Sequence, residues 1–191
     1  MEKTYYTKER LRKLISSHDQ HGAPATFAAD VNKSPFFKKD DQNYINILSS
    51  KQINTLQNTS MLDIFLSKDS IIEPHYHPNT AELVFCIAGS ATVSLMNLQT
   101  KKFQHYRITA GQAVNVPQGW WHYILAHTDD THLQGTFDAD IPEVVLGSDL
   151  LTATPADVFA YSYGVDEEKW KEATENIQPS TVIGPPANQK M

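Results

Sequence analysis

Between residues 43 and 137 the chain breaks into short apolar-rich segments spaced roughly ten residues apart, each bounded by turn formers. The candidate strands are Tyr44–Leu48, Met61–Ser67, Glu82–Ile87, Ala91–Met96, Phe103–Ile108, Ala113–Val116, His122–Ala126 and Leu133–Phe137. Between them stand Ala88-Gly89-Ser90, Ala110-Gly111-Gln112 and Thr128-Asp129-Asp130, residue types that reverse the backbone easily. A parallel βαβ arrangement needs a longer crossover between strands. The pattern therefore predicts an all-β sandwich or barrel.

The flanks read differently. Residues 7–17 have Leu11, Leu14 and Ile15 at helical spacing behind a Thr7 cap, which predicts a short helix. A polar connection with Pro24 and Pro35 follows to about residue 42 and is expected to be irregular. Beyond residue 147 the pattern turns helical. Thr154 is placed to cap, with Pro155 at the first helical position, and a second helix is expected over Asp166–Glu175. The tail, 178–191, carries Pro179, Pro185 and Pro186 and is expected to be extended. The expected organisation is an N-terminal helix and arm (1–42), a barrel (43–147) and a C-terminal helical extension with its tail (148–191).

A chain of 191 residues suits one domain of ordinary size. Sixteen Lys and Arg against 22 Asp and Glu give a net charge of -6, with no basic run to attract nucleic acid or an anionic membrane. Cys86, the sole cysteine, lies in the apolar run Leu83–Ile87 and reads as a buried core thiol. The N-terminal residues form no apolar leader and no later stretch has membrane-spanning length, so the expected compartment is the cytoplasm. A homo-oligomer is expected, because barrel edges and apolar faces are commonly covered by a partner.

Chemistry concentrates in two segments. The first is Pro74-His75-Tyr76-His77-Pro78-Asn79-Thr80-Ala81-Glu82, followed by Gly89; the second is Gly111, then Pro117-Gln118-Gly119-Trp120-Trp121-His122. Residues two apart on a strand share a face, so His75 and His77 can offer two imidazoles to one point. A turn at Pro78–Thr80 would bring Glu82 back toward them, and His122 would arrive from a later strand. Three imidazoles and a carboxylate suit divalent Mn, Fe, Co, Ni, Cu or Zn; Ca and Mg prefer oxygen. An octahedral ion would keep open positions for a ligand, as catalytic sites do. His18, His21, His105, His127 and His132 fall outside this spacing.

These two segments resemble the paired motifs of the cupin superfamily, and are similar to one domain of bacterial oxalate decarboxylase and to germins. The similarity continues through Thr154–Ala160 and Tyr163-Gly164-Val165, covering about residues 44–175. It implies a double-stranded β-helix, jelly-roll-like barrel with a helical C-terminal extension. It places His75, His77, Glu82 and His122 at the family's metal-ligand positions and makes manganese the expected ion.

The chain departs from that pattern where the reaction would be decided. The oxalate decarboxylase pattern has a carboxylate-gripping arginine three residues before the first histidine; Ile72 stands there, and an isoleucine cannot make a bidentate carboxylate contact. The proton-handling lid would fall near Asp138–Gly147, where Asp138, Asp140 and Glu143 are the acidic candidates. Ile72, Phe85 and Trp120 are the expected pocket walls. The resulting expectation is a metal-dependent enzyme of decarboxylase or oxidase/dioxygenase type acting on a small organic acid or related oxygenated molecule, not clearly oxalate. A non-enzymatic ligand-binding cupin is the alternative, and an isomerase-like cupin a third reading.

Overall fold

Alternation of apolar and polar residues along each strand gives every strand one face for a core and one for solvent. The computed structural model describes residues 24–186, where two antiparallel sheets bring their apolar faces together. The strands are β1 (Pro35–Lys38), β2 (Tyr44–Leu48), β3 (Ser60–Leu66), β4 (Ile71–Tyr76), β5 (Glu82–Ala88), β6 (Ser90–Asn97), β7 (Lys102–Thr109), β8 (Ala113–Val116), β9 (His122–Ala126), β10 (Thr131–Phe137), β11 (Val145–Leu146) and β12 (Ile183–Gly184). One sheet runs β1-β2-β3-β10-β5-β8 and the other β11-β4-β9-β6-β7, with β12 also on β4. This is the all-β architecture that the strand spacing predicts, in the jelly-roll-like barrel form that the resemblance implies.

Inward positions follow the period of two. In β5 they are Glu82, Val84 and Cys86, and in β9 His122, Ile124 and Ala126. Val84, Cys86, Ile64 and Leu133 of one sheet meet Ala91, Val93, Ile124 and Ala126 of the other in a single core. Cys86 is buried there, as expected, and burial pushes its thiol pKa up.

Three helices follow the barrel: α1 (Gly147–Ala153), α2 (Ala156–Tyr163) and α3 (Glu167–Thr174). Pro155 is the N-cap of α2, one residue later than Thr154, and Gly164 ends it in the left-handed conformation, φ 67°. The Asp166 carboxylate caps α3 by accepting from the Lys169 amide. No helix among the described residues is long and apolar enough to cross a membrane.

Several expectations are corrected at the flanks. Part of the supposedly irregular arm is a short helical turn, Val31–Lys33, followed by β1, and Pro35 stands at the first position of that edge strand. Part of the tail is β12, which pairs Ile183 with Ile72. The boundaries at 42/43 and 147/148 therefore cut across the sheets, because both flanks add strands to the barrel. The helix expected over residues 7–17 lies outside the described residues, as do His18 and His21.

Candidate metal centre

Four buried polar side chains, His75, His77, Glu82 and His122, come together in one place. His75 lies on β4 and stands opposite His122 of β9 in the register. His77 follows directly after β4, and Glu82 opens β5. All four side chains are buried, and one donor atom from each falls within 4.8 Å of every other. Of the six histidines among the described residues, the structure brings together the three that the motif spacing selects. His105, His127 and His132 instead meet Ser94, Thr92 and Asp63.

Backbone carbonyls orient the three rings. The Nδ1 atoms of His75, His77 and His122 face the carbonyls of Glu73 at 2.6 Å, Glu143 at 2.7 Å and Trp120 at 2.9 Å. A carbonyl oxygen only accepts, so each Nδ1 carries its proton. In a neutral imidazole this leaves Nε2 as a bare lone pair. His122 Nε2 lies 3.1 Å and His77 Nε2 3.5 Å from Glu82 Oε2. Lone pairs thus confront a carboxylate in a buried space, and His77 Nε2 has no hydrogen-bond partner among the described residues. Such a cluster repels itself unless positive charge sits within it. The carbonyl–histidine contacts are also the outer support that fixes the ring orientation of metal-ligating histidines.

The electrostatics separate the imidazoles. Burial, reinforced by the neighbouring His122 and His77, pushes the His75 pKa well below its ordinary value. Burial also works to lower His77, but the charge of the adjacent Glu82 carboxylate outweighs it and raises that group. For Glu82, burial works to raise the carboxyl; the adjoining His122 and His77 imidazoles overcome it and hold the group far below the usual carboxylate range. The donor set is therefore an ionised carboxylate among imidazoles, with His75 strongly disfavoured as a cation and His77 drawing positive charge toward Glu82. A divalent transition ion fits these donors.

Gly135 makes room for this arrangement, and sequence reasoning missed it. It faces inward on β10, and a Cβ there would come 2.5 Å from Glu82 Oε1. An inward glycine amid an otherwise alternating strand was its available signal.

A cavity of about 320 Å³ opens from His75, His77 and Glu82. Ile72 lines it; Phe36, Phe37, Leu62, Val144 and Val182 supply other walls. Phe85 and Trp120 are corrections. Phe85 lies three residues after the inward Glu82, so the period of two turns it outward, and it is 37% exposed. Trp120 packs in a separate hollow with Leu95, Tyr106 and Pro117. The acidic candidates also stand away from the cavity lining. Asp138 accepts from the Thr80 hydroxyl and the Ala81 amide and lines a surface hollow. Asp140 accepts from the Asn58 amide. Glu143 has an exposed side chain, and its contribution is the carbonyl that holds His77. The acidic side chain that lines the cavity beside Glu82 is Asp149, which sequence reasoning did not single out.

The family model described as "Cupin" matches residues 32–171. The chain belongs to the cupin family. Arachin Ahy-3 of Arachis hypogaea is 24% identical over 131 residues, covering 66% of this chain and 26% of the relative. Legumin type B of Vicia faba is 27% identical over 122 residues, covering 56% and 22%. Oxalate decarboxylase from Bacillus subtilis superposes with a TM-score of 0.73 at 20% identity, covering 100% of this chain and 52% of that one. Procruciferin, an 11S globulin from Brassica napus, gives 0.77 at 16% identity, covering 87% and 44%. This cupin thus spans about a quarter of the curated relatives' length and about half of these structural neighbours'. Likeness at this identity establishes the fold, and the neighbours include both an enzyme and globulins.

Proposed function

We propose that this cupin binds one divalent transition metal, manganese first among the candidates and Fe, Ni, Co, Cu or Zn after it, through His75, His77, Glu82 and His122. In this reading it is a metal-dependent enzyme of decarboxylase or oxidase/dioxygenase type, acting on a small oxygenated organic molecule. The observation that carries it is the confrontation of imidazole lone pairs with the Glu82 carboxylate in a buried cluster beside a cavity. A divalent ion held there would supply Lewis acidity and, as Mn or Fe, redox capacity toward dioxygen. The surrounding residues would bind the ligand and exclude water. Asp149, which lines the cavity and accepts from the Ser180 amide and hydroxyl, would serve as the acid that exchanges a proton with a ligand, in preference to Asp138, Asp140 or Glu143.

Elemental analysis of protein purified without added metal tests the site. Stoichiometric metal that is lost in His77→Ala is the expected result; metal-free wild-type protein that takes up none on reconstitution overturns it. Metal-loaded protein offered a panel of small acids and diols, read for CO₂, peroxide and oxygen uptake, tests the enzyme reading. The similarity to a 12S seed storage protein and to legumin favours a second reading, a non-enzymatic ligand-binding cupin. Metal occupancy and ligand-dependent stabilisation without turnover with Mn, Fe or Ni would establish it in place of the first.

A further inference from the structure

The walls of the cavity identify the class of molecule it takes. No Lys or Arg lines it among the described residues, and its two carboxylates, Glu82 and Asp149, are both acidic. The remaining wall is mostly aromatic and branched aliphatic. Phe36 and Phe37 come from β1, Ile72 from β4, and Val144 and Val182 from the two segments beside β4. A second carboxylate on a ligand would lose its hydration against these walls and find no cation to replace it. An apolar body would gain from the same burial. Size adds a bound. An apolar cavity of about 150 Å³ accommodates benzene, so about 320 Å³ holds one ring or branched chain together with a small polar head.

Resting on the metal reading proposed above, we infer that the cavity takes a neutral or singly charged chelator whose oxygen head meets the His75/His77/Glu82/His122 cluster and whose apolar body lies against Phe36, Phe37, Val144 and Val182. Ile72 floors the cavity near the cluster. Phe36 and Val144, 50% and 38% exposed, stand at its mouth and act on selectivity more than on folding. Val182 holds a left-handed conformation at φ 57°, rare for a β-branched residue. The Glu73 carboxylate keeps it there by accepting its amide at 2.7 Å. The wall is therefore fixed in place by contacts behind it.

Calorimetric titration of full-length, metal-loaded protein with acetohydroxamate, benzohydroxamate and oxalate tests this. The two hydroxamates share a chelating head, so their difference isolates the apolar body. Benzohydroxamate is expected to bind roughly tenfold or more tighter than acetohydroxamate, and tighter than oxalate, with metal content unchanged after gel filtration. Val144→Lys is expected to narrow the gap to oxalate. Phe36→Ala is expected to weaken benzohydroxamate and spare acetohydroxamate. Equal affinity for the hydroxamates, or tighter binding of oxalate, overturns the inference while leaving the metal site standing. A preference unchanged in both variants overturns the placement of the body. Failure to take up metal overturns both this inference and the metal reading.

Discussion

Glu82 reaches the other donors because Gly135, opposite Val84 in the β5–β10 ladder and diagonal to Glu82, has no side chain. Even one methyl would come 2.5 Å from Glu82 Oε1, so the carboxylate would have to shift. Gly135→Ala is therefore expected to displace Glu82 and reduce metal stoichiometry at least as much as it reduces stability. Elemental analysis alongside urea unfolding checks this; full metal content in a folded variant would show that Glu82 tolerates the methyl. At this scale the donors were legible because their spacing is a joint pattern: His-x-His on one strand, Glu after a turn, His after Pro-x-Gly. Once Glu82 is placed inward, the period of two also sends Phe85 outward, so that wall was within reach of the sequence and was misjudged. Phe36, Val182 and Asp149 were not legible, since they reach the cavity from segments far away in the chain.

At the scale of elements, β4 is the strand the hydrophobic pattern does not announce. Pro74 interrupts it, and proline cannot donate to a ladder. The structure absorbs this with a register irregularity against β9 between Ile72 and His75. On the opposite edge, β12 pairs with Ile71 and Ile72, and β11 with His75 and Tyr76. Buried Glu73 ties these pieces together. Its carboxylate accepts the Ser148 amide at 2.8 Å, the Ser148 hydroxyl at 2.9 Å and the Val182 amide at 2.7 Å. Glu73→Gln keeps the volume but turns an NH₂ toward one of these donors. The expected loss is about 2 kcal/mol of stability, the scale of a buried polar group left without its partner. It should come with faster hydrogen exchange at the Val182 amide. An unchanged unfolding midpoint and unchanged Val182 exchange would show that β12 is held by its ladder alone.

At the scale of the whole molecule, the outward face of β5 stands out. Leu83, Phe85 and Ile87 alternate with the inward Glu82, Val84 and Cys86, and all three are exposed. β5 lies inside its sheet between β10 and β8, so this strip is part of a face and not a frayed edge. We propose this apolar strip as the interaction surface of the expected homo-oligomer. A second copy can cover it through a twofold axis, because the strip then meets its own equivalent and both strips are buried at once. The homo-oligomer expected from the sequence would then form through this face. Phe85→Glu places a charge at the centre of such an interface, yet its side chain points away from the core and the metal cluster. Wild-type protein is expected to sediment as an oligomer and Phe85→Glu as a monomer, in analytical ultracentrifugation, with metal content unaltered. An oligomer that survives Phe85→Glu would move the interface elsewhere. The next place to look is the long strand β7, whose ladder partner is β6 and whose Phe103 and Tyr106 are exposed.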